Sequence, residues 1–225
     1  MDSISGQTHK NVEVVLQDGG STDGTLTIAA SYQESIPTMV ILQEKDQGIY
    51  DAMNKALKKA SGEWVIFMGS DDQLESDQVL HQIAKVMWSS KADVIYGNVR
   101  IIGDTGWAKD GDIYAGAFDL PKLLDQNICH QAMFYRREFL NQEIGDFNTR
   151  YAKSSDWDLN LRCWSKGNFQ FVDLLVSEFA AGGLSSTSTD HELIADYIDN
   201  ILRYFQIGLF HPLINRPTFI FYKQL

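Results

Sequence analysis

Two adjacent carboxylates, Asp71 and Asp72, close the segment GEWVIFMGSDD at residues 62–72. Side-by-side acids repel unless a cation lies between them and a partner. Mg2+ and Mn2+ meet that need, because they take one or two carboxylates together with substrate phosphates. The competing reading has Asp72 capping the next helix and Asp71 merely solvated. Other groups able to do chemistry are Asp18 in DGGSTDGT (18–25), Asp46 and Gly48 in EKDQGIY (44–50), His130 in CHQAMFY (129–135), and Asp156 and Asp158 in SSDWDLNLR (154–162). A calcium loop at 18–29 is excluded, since its third and twelfth positions are Gly20 and Ala29, which bring no ligand oxygen.

These residues need elements to hold them. Residues 64–68 are five apolar residues without alternation, which predicts a strand buried on both faces of a parallel sheet. Ligands of open α/β sheets bind beyond the carboxyl ends of the strands, where Asp71 and Asp72 fall. Upstream, a polar stub at 1–10 precedes a strand at 12–16, and the turn-rich 18–25 ends it. A helix follows at about 25–33, with Asp23 at its start and Leu26, Ala29 and Ala30 inward. Pro37 precedes a strand at 39–42, after which Ile49, Met53, Ala56, Leu57 and Ala60 form a helical stripe. A helix after Ser76 and a strand at 93–97 complete a β, α, β, α, β, α, β order, hence a parallel sheet covered by helices. Beyond Asn98 the spacing predicts a hairpin or bent excursion (99–118), a short helix (118–124), a strand (129–135), a turn (145–148), a helix opened by Asp156 and Asp158, and a last strand (169–176). A hydroxyl-rich loop (180–190) and a helical, then aromatic, tail (191–225) follow.

Chain-wide numbers bound the function. With 225 residues, 44% hydrophobic and 22% charged, the sequence suits one globular domain with an appended segment. A formal charge of −11 argues against a nucleic-acid partner, which needs a basic face. Cys129 and Cys163 have no metal-like spacing, and with no signal peptide or bilayer-length apolar run in the sequence, a reduced cytoplasmic setting is expected.

Taken in order, DGGSTDGT, EKDQGIYDAMNKAL, GSDD and SSDWDLNLR resemble the inverting, nucleotide-sugar-dependent glycosyltransferases of family 2, over about residues 3–185. Among these, bacterial enzymes of surface or capsular polysaccharide synthesis are most similar. The resemblance implies a GT-A type α/β fold, with a Rossmann-like, mostly parallel sheet flanked by helices and a helical C-terminal extension. It divides the chain into a glycosyltransferase domain at 1–190 (nucleotide-sugar half 1–98, acceptor half 99–190) and an extension at 191–225. It also implies roles: Asp156 as general base; Asp18, Asp46, Gly48 and Asp71 as donor-binding residues; and Asp72 as the ligand of Mn2+ or Mg2+. His130 and the loop residues Gly183 and Ser185 become candidates for substrate contact. The partners implied are a nucleoside-diphosphate sugar and a glycan or lipid-linked acceptor, and the aromatic tail adds packing against the domain or a second subunit, or else attachment to the inner membrane face, as expectations.

Structural alternatives stand beside each role. Asp18 could satisfy its own turn, Asp156 and Asp158 could cap and favour a helix start, His130 could be structural, Arg162 could be an i,i+4 partner of Asp158, and the 182–185 loop could be an ordinary exposed one. The family pattern starts with a strand and helix of which only Ser3, Ile4 and Gln7 match the helix tail, so a fragment lacking roughly 20 residues is expected. No Gln-x-x-Arg-Trp motif of the processive members is found, which implies one sugar per encounter. Rival readings are a receiver-like module, for which the Asp156 helix has no role, a nucleotidyltransferase, which wants a basic Gly-rich loop, and a non-catalytic nucleotide-sugar-binding relic.

Overall fold

The computed structural model describes residues 1–182 and 190–214. The opening residues are anchored rather than a loose polar stub. A single helical turn, α1 (Asp2–Ser5), leads to the buried Gln7, whose Nε2 donates to the carbonyls of Ser3 and Ser76 while its Oε1 accepts from Leu80 N. Two parallel strands, β1 (Val14–Asp18) and β2 (Met39–Gln43), pair from Val14–Met39 to Asp18–Gln43, with α2 (Thr25–Ser31) as their crossover. Their carboxyl ends therefore stop side by side, at Asp18 and Gln43. In α2, Ala29 is buried, Leu26 is half-buried and Ala30 faces solvent, against the inward position expected for Ala30. Asp23 accepts from Thr25 N at the helix start.

The helix α3 (Ile49–Lys59) buries Tyr50, Met53, Asn54 and Leu57, whereas Ile49 is 37% exposed. The predicted apolar stripe is thus rotated. Tyr50 and Asn54 occupy the inward face because each finds buried hydrogen-bond partners, which removes the cost of burying their polar atoms. The strand expected at 64–68 is paired only at β3 (Trp64–Val65), and of its five residues Phe67 alone is buried. Among the described residues its one partner is the antiparallel strand at Met133–Arg136, so it is not the doubly flanked parallel strand that the apolar run suggested.

The chain continues through β4 (Gln73–Leu74), α4 (Val79–Ser89), β5 (Val94–Ile102), β6 (Ile113–Tyr114) and α5 (Leu120–Asp125). Ser76 does not cap α4; its carbonyl serves Gln7, and Gln78 occupies the cap position. A 3-10 turn (His130–Ala132) enters β7 (Met133–Arg136), α6 (Arg137–Phe139) and a π-turn follow, and α7 (Ser155–Lys166), β8 (Phe169–Ala180) and α8 (His191–Phe205) complete the described elements. The larger sheet runs β3-β7-β5-β8-β4, with β6 on β5. Among the described residues only β5 and β8 are parallel in it; β3–β7, β5–β7, β4–β8 and β5–β6 are antiparallel. The α/β class with flanking helices holds, but the pairing is mixed rather than mostly parallel, because β7 from the second half inserts between β3 and β5 and runs against both.

Alternating residues of β5 serve two cores. Val94 and Tyr96 join Tyr50, Met53 and Leu57 of α3, Leu123 and Leu124 of α5 and Leu159 of α7, while Ile95 meets Val79 and Ile83 of α4 on the opposite face. Leu193, Tyr197 and Ile201 of α8 belong to the first of these cores, so this part of the expected extension packs into the domain. No helix among the described residues is long and apolar enough to cross a membrane.

Candidate active site

The carboxyl ends of β1 and β2 bring Asp18 and Asp46 together. Asp18 Oδ2 accepts from Gly20 N at 3.0 Å and Ser21 N at 2.9 Å, so it does satisfy the turn that follows it. The Ser21 hydroxyl and N–H, aided by Gly20 N–H, hold this carboxyl below the usual carboxylate range. Asp46 Oδ1 accepts from Gly48 N, and a Cβ built on Gly19 would lie 2.5 Å from Asp46 Oδ2. The two acid-bearing turns are therefore in contact, and glycine at 19 permits the approach. Gly48 takes φ 124, a left-handed backbone that suits glycine, and delivers the chain into α3.

Asp71 and Asp72 crowd over Gly69, where an added Cβ would stand 2.9 Å from Asp71 Oδ1 and 3.0 Å from Asp72 Oδ2. Asp72 is buried and accepts from Gly69 N at 2.8 Å, whereas Asp71 is exposed. Burial, with the charge of Asp71 added, pushes the Asp72 carboxyl above its ordinary value, against the opposing pull of Gly69 N–H and His130. No group of three or more His, Cys, Asp or Glu able to hold a metal occurs among the described residues. Two converging hard oxygens without a third protein ligand nonetheless fit Mg2+ or Mn2+, which complete their shells with substrate phosphate and water.

The third acid, Asp156, lies in the first turn of α7 and is gripped from three directions. Tyr50 OH donates to Oδ1 at 2.8 Å, Asn127 Nδ2 donates to Oδ2 at 2.8 Å, and His130 Nδ1 stands 3.2 Å from Oδ2. The tautomer that suits an ionised Asp156 has the hydrogen on Nδ1, leaving Nε2 of His130 for another partner. The Asn127 amide is oriented by a one-way chain: Tyr135 OH donates to Asn160 Oδ1, and Asn160 Nδ2 donates to Asn127 Oδ1. Tyr135 and Asn160 are fully buried, so this polarity is set from the core outward.

His130 joins the second and third acids. It contacts Asp156 and acts electrostatically on Asp72, while the thiol of the half-buried Cys129 next to it is pushed up by desolvation and by the charges of Asp156 and Asp72. The turn from Asp46 to Tyr50 links the first acid cluster to Asp156. By contrast, Asp158 is turned inward, where Arg162 Nε and Tyr204 OH bind it at 2.9 and 2.6 Å, and Arg162 has the i,i+4 role weighed from its spacing. Gly183 and Ser185 lie outside the described residues. Sequence reasoning missed Tyr50 and Asn127 as site residues; Tyr50 stood inside a quoted motif, but Asn127 carried no local signal.

The comparisons agree with this architecture. The family model for "Glycosyl transferase family 2" matches residues 1–145. A "PGL/p-HBAD biosynthesis glycosyltransferase" of Mycobacterium tuberculosis is 40% identical over 200 residues, covering 86% of this chain and 75% of that protein. Chondroitin synthase of Escherichia coli is 26% identical over 178 residues, 77% of this chain and 25% of its own. Among solved structures, S. aureus TarS 1-349 in complex with UDP-GlcNAc superposes with a TM-score of 0.74 at 20% identity, covering 89% of this chain and 61% of the TarS 1-349 chain. The mannosyltransferase PcManGT from Pyrobaculum calidifontis, in complex with GDP-Man and Mn2+, gives 0.58 at 17% identity, covering 99% and 63%. These two likenesses bear on the fold, which is the GT-A-like α/β fold with a curled mixed sheet. The chain belongs to glycosyl transferase family 2, and its activity is the transfer of a sugar from a nucleoside-diphosphate sugar to an acceptor.

Proposed function

We propose that the chain is an inverting glycosyltransferase that adds one sugar per encounter to a glycan or lipid-linked hydroxyl, with Asp156 as general base. The observation that carries this reading is the setting of Asp156: a carboxylate 14% exposed, fixed by Tyr50, Asn127 and His130 rather than spent on a cation. Oδ1 has one donor and so keeps lone-pair capacity for an acceptor hydroxyl. Asp18, Asp46 and Gly48 bind the nucleoside, with Asp71 nearer the ribose. Asp72, with Asp71 beside it, would hold Mg2+ or Mn2+, which when bound would supply charge neutralisation at the diphosphate. The acceptor oxygen attacks the anomeric carbon from the face opposite that diphosphate, so the configuration inverts, and the proton goes to Asp156. His130, with Nε2 open, contacts acceptor or donor phosphate. The names of the relatives, in PGL/p-HBAD biosynthesis and chondroitin synthesis, support a surface glycan or glycolipid product.

The test is nucleoside-diphosphate release from a panel of nucleotide sugars, with Mn2+, with Mg2+ and after EDTA. Release should need the divalent ion, and Asp156→Asn should lower kcat by at least about a hundredfold. Asp156→Asn at wild-type rate would overturn the base assignment, and undiminished turnover in EDTA would overturn the metal assignment.

A further inference from the structure

Tyr50 presents an unequal count of donors and acceptors. Its hydroxyl lies 2.8 Å from Asp156 Oδ1 and 2.8 Å from the carbonyl of Lys153, yet it has one hydrogen to give. Burial, together with the negative charge of Asp156, pushes the phenol well above its ordinary value, so that hydrogen stays on the oxygen at any working pH. The ring cannot choose between the two acceptors by moving: it is 6% exposed and stacked on Phe147 with centroids 5.4 Å apart. The backbone it faces is also pinned, because Lys153 N and Ser154 N both donate to Asp190 Oδ2 at the start of α8. Only the torsion of the O–H bond is free.

We propose that Tyr50 is a positioning residue that serves the general base in both of its charge states: the hydroxyl donates to Asp156 while the carboxylate is charged, and turns to the Lys153 carbonyl once Asp156 has taken the acceptor's proton. The inference rests on the assignment of Asp156 as base. In the reaction the acceptor oxygen bonds to the anomeric carbon, and the bond from that carbon to the diphosphate breaks with its electron pair leaving on the diphosphate. The acceptor proton passes to Asp156 Oδ1, which has one protein donor where Oδ2 has Asn127 and His130. A protonated Oδ1 accepts poorly, and a second acceptor at equal distance takes the tyrosine hydrogen without any heavy atom moving. Asn127 and His130 keep their contacts to Oδ2 in both states, and the turn of the Tyr50 hydrogen removes a hydrogen-against-hydrogen clash at Oδ1, so the base keeps one orientation and the step needs less reorganisation. Tyr50 sits two residues after Gly48, so the same short segment lines the donor turn and steadies the base.

The decisive variant is Tyr50→Phe, which keeps the stacked ring and removes the switchable hydroxyl. Binding of UDP, GDP, TDP and CDP with Mn2+, read by thermal shift, should match wild type, and donor KM should be unchanged while kcat falls about 10- to 100-fold. The double variant Tyr50→Phe/Asp156→Asn should be no slower than Asp156→Asn alone, since Tyr50 acts through that carboxylate; Asp156→Glu supplies the background if release by Asp156→Asn is too slow to measure. A kcat for Tyr50→Phe within twofold of wild type overturns the proposal, as does a double variant slowed by the full Tyr50→Phe factor, which marks a merely structural role. Asp156→Asn at wild-type rate sinks the base assignment and this inference together, whereas an impaired Asp156→Asn beside a fully active Tyr50→Phe sinks the inference alone.

Discussion

Asn54 of α3 ties that helix to the backbone of Phe147, and the strength of that tie can be worked out. Its Nδ2 donates to the carbonyl of Phe147 at 3.0 Å and its Oδ1 accepts from Phe147 N at 2.8 Å, so a helix side chain closes both backbone groups of a residue 93 positions away. Both partners are buried, with Asn54 5% and Phe147 3% exposed. Asn54→Ala deletes both bonds and leaves a buried N–H and a buried C=O without partners, each costing about 1–3 kcal/mol, or about 2–6 kcal/mol together. Phe147 also stacks on Tyr50 and meets Phe67 edge-on at 5.0 Å, so its loosening reaches the base. Asn54→Asp should not restore stability, because the carboxylate accepts from Phe147 N–H but faces the carbonyl with charge. Equilibrium urea unfolding measures the loss as a lower midpoint at unchanged slope, with the exposed Gln142→Ala as a reference within about 0.5 kcal/mol. A loss under about 1 kcal/mol for Asn54→Ala would mean that water reaches the Phe147 backbone, and the reasoning from burial would fail.

Three further outcomes follow from the same contacts. Arg162→Met strands the 1%-exposed Asp158 charge and should cost about 3–5 kcal/mol in urea unfolding, much of it recovered by Asp158→Asn in the same chain; no recovery would locate the effect in packing instead. Gly19→Ala pushes a methyl at Asp46, a side chain able to swing, so nucleoside-diphosphate affinity in calorimetric titration should weaken while the unfolding midpoint stays near wild type; an unaltered affinity would remove Asp46 from the donor site. Burial works against the charge of Glu13, but the N–H groups of Ser61 and Gly62 and the Ser61 hydroxyl, with Arg137 nearby, hold its carboxyl below the usual range. A depressed acid adds stability above its unfolded pKa and loses it as pH falls through the folded one. The stability difference between wild type and Glu13→Gln should therefore be full at pH 7 and fade below about pH 4.5 in thermal melts, and a difference that is flat with pH would contradict it.

Much of this protein is written locally. The order of the acid-bearing turns, the α/β class and Asp156 at a helix start follow from short-range properties: apolar runs long enough for strands, glycine where the chain must turn, acids where strands stop. The pairing of those strands is decided at long range. Nothing within residues 64–68 says that β3 will meet Arg136 and Tyr135 of an antiparallel β7, since an apolar run fits either direction of partner. The same holds for polar residues on the buried face of α3. Tyr50 and Asn54 fall outside the stripe that the apolar spacing predicts, because the groups that satisfy them, Lys153, Asp156 and the Phe147 backbone, lie about a hundred residues further on. The acids able to do chemistry are legible along the chain, but that Asp156 among them is fixed by Tyr50, Asn127 and His130 is visible only in the folded molecule, since a carboxylate's neighbours are a property of packing and not of spacing.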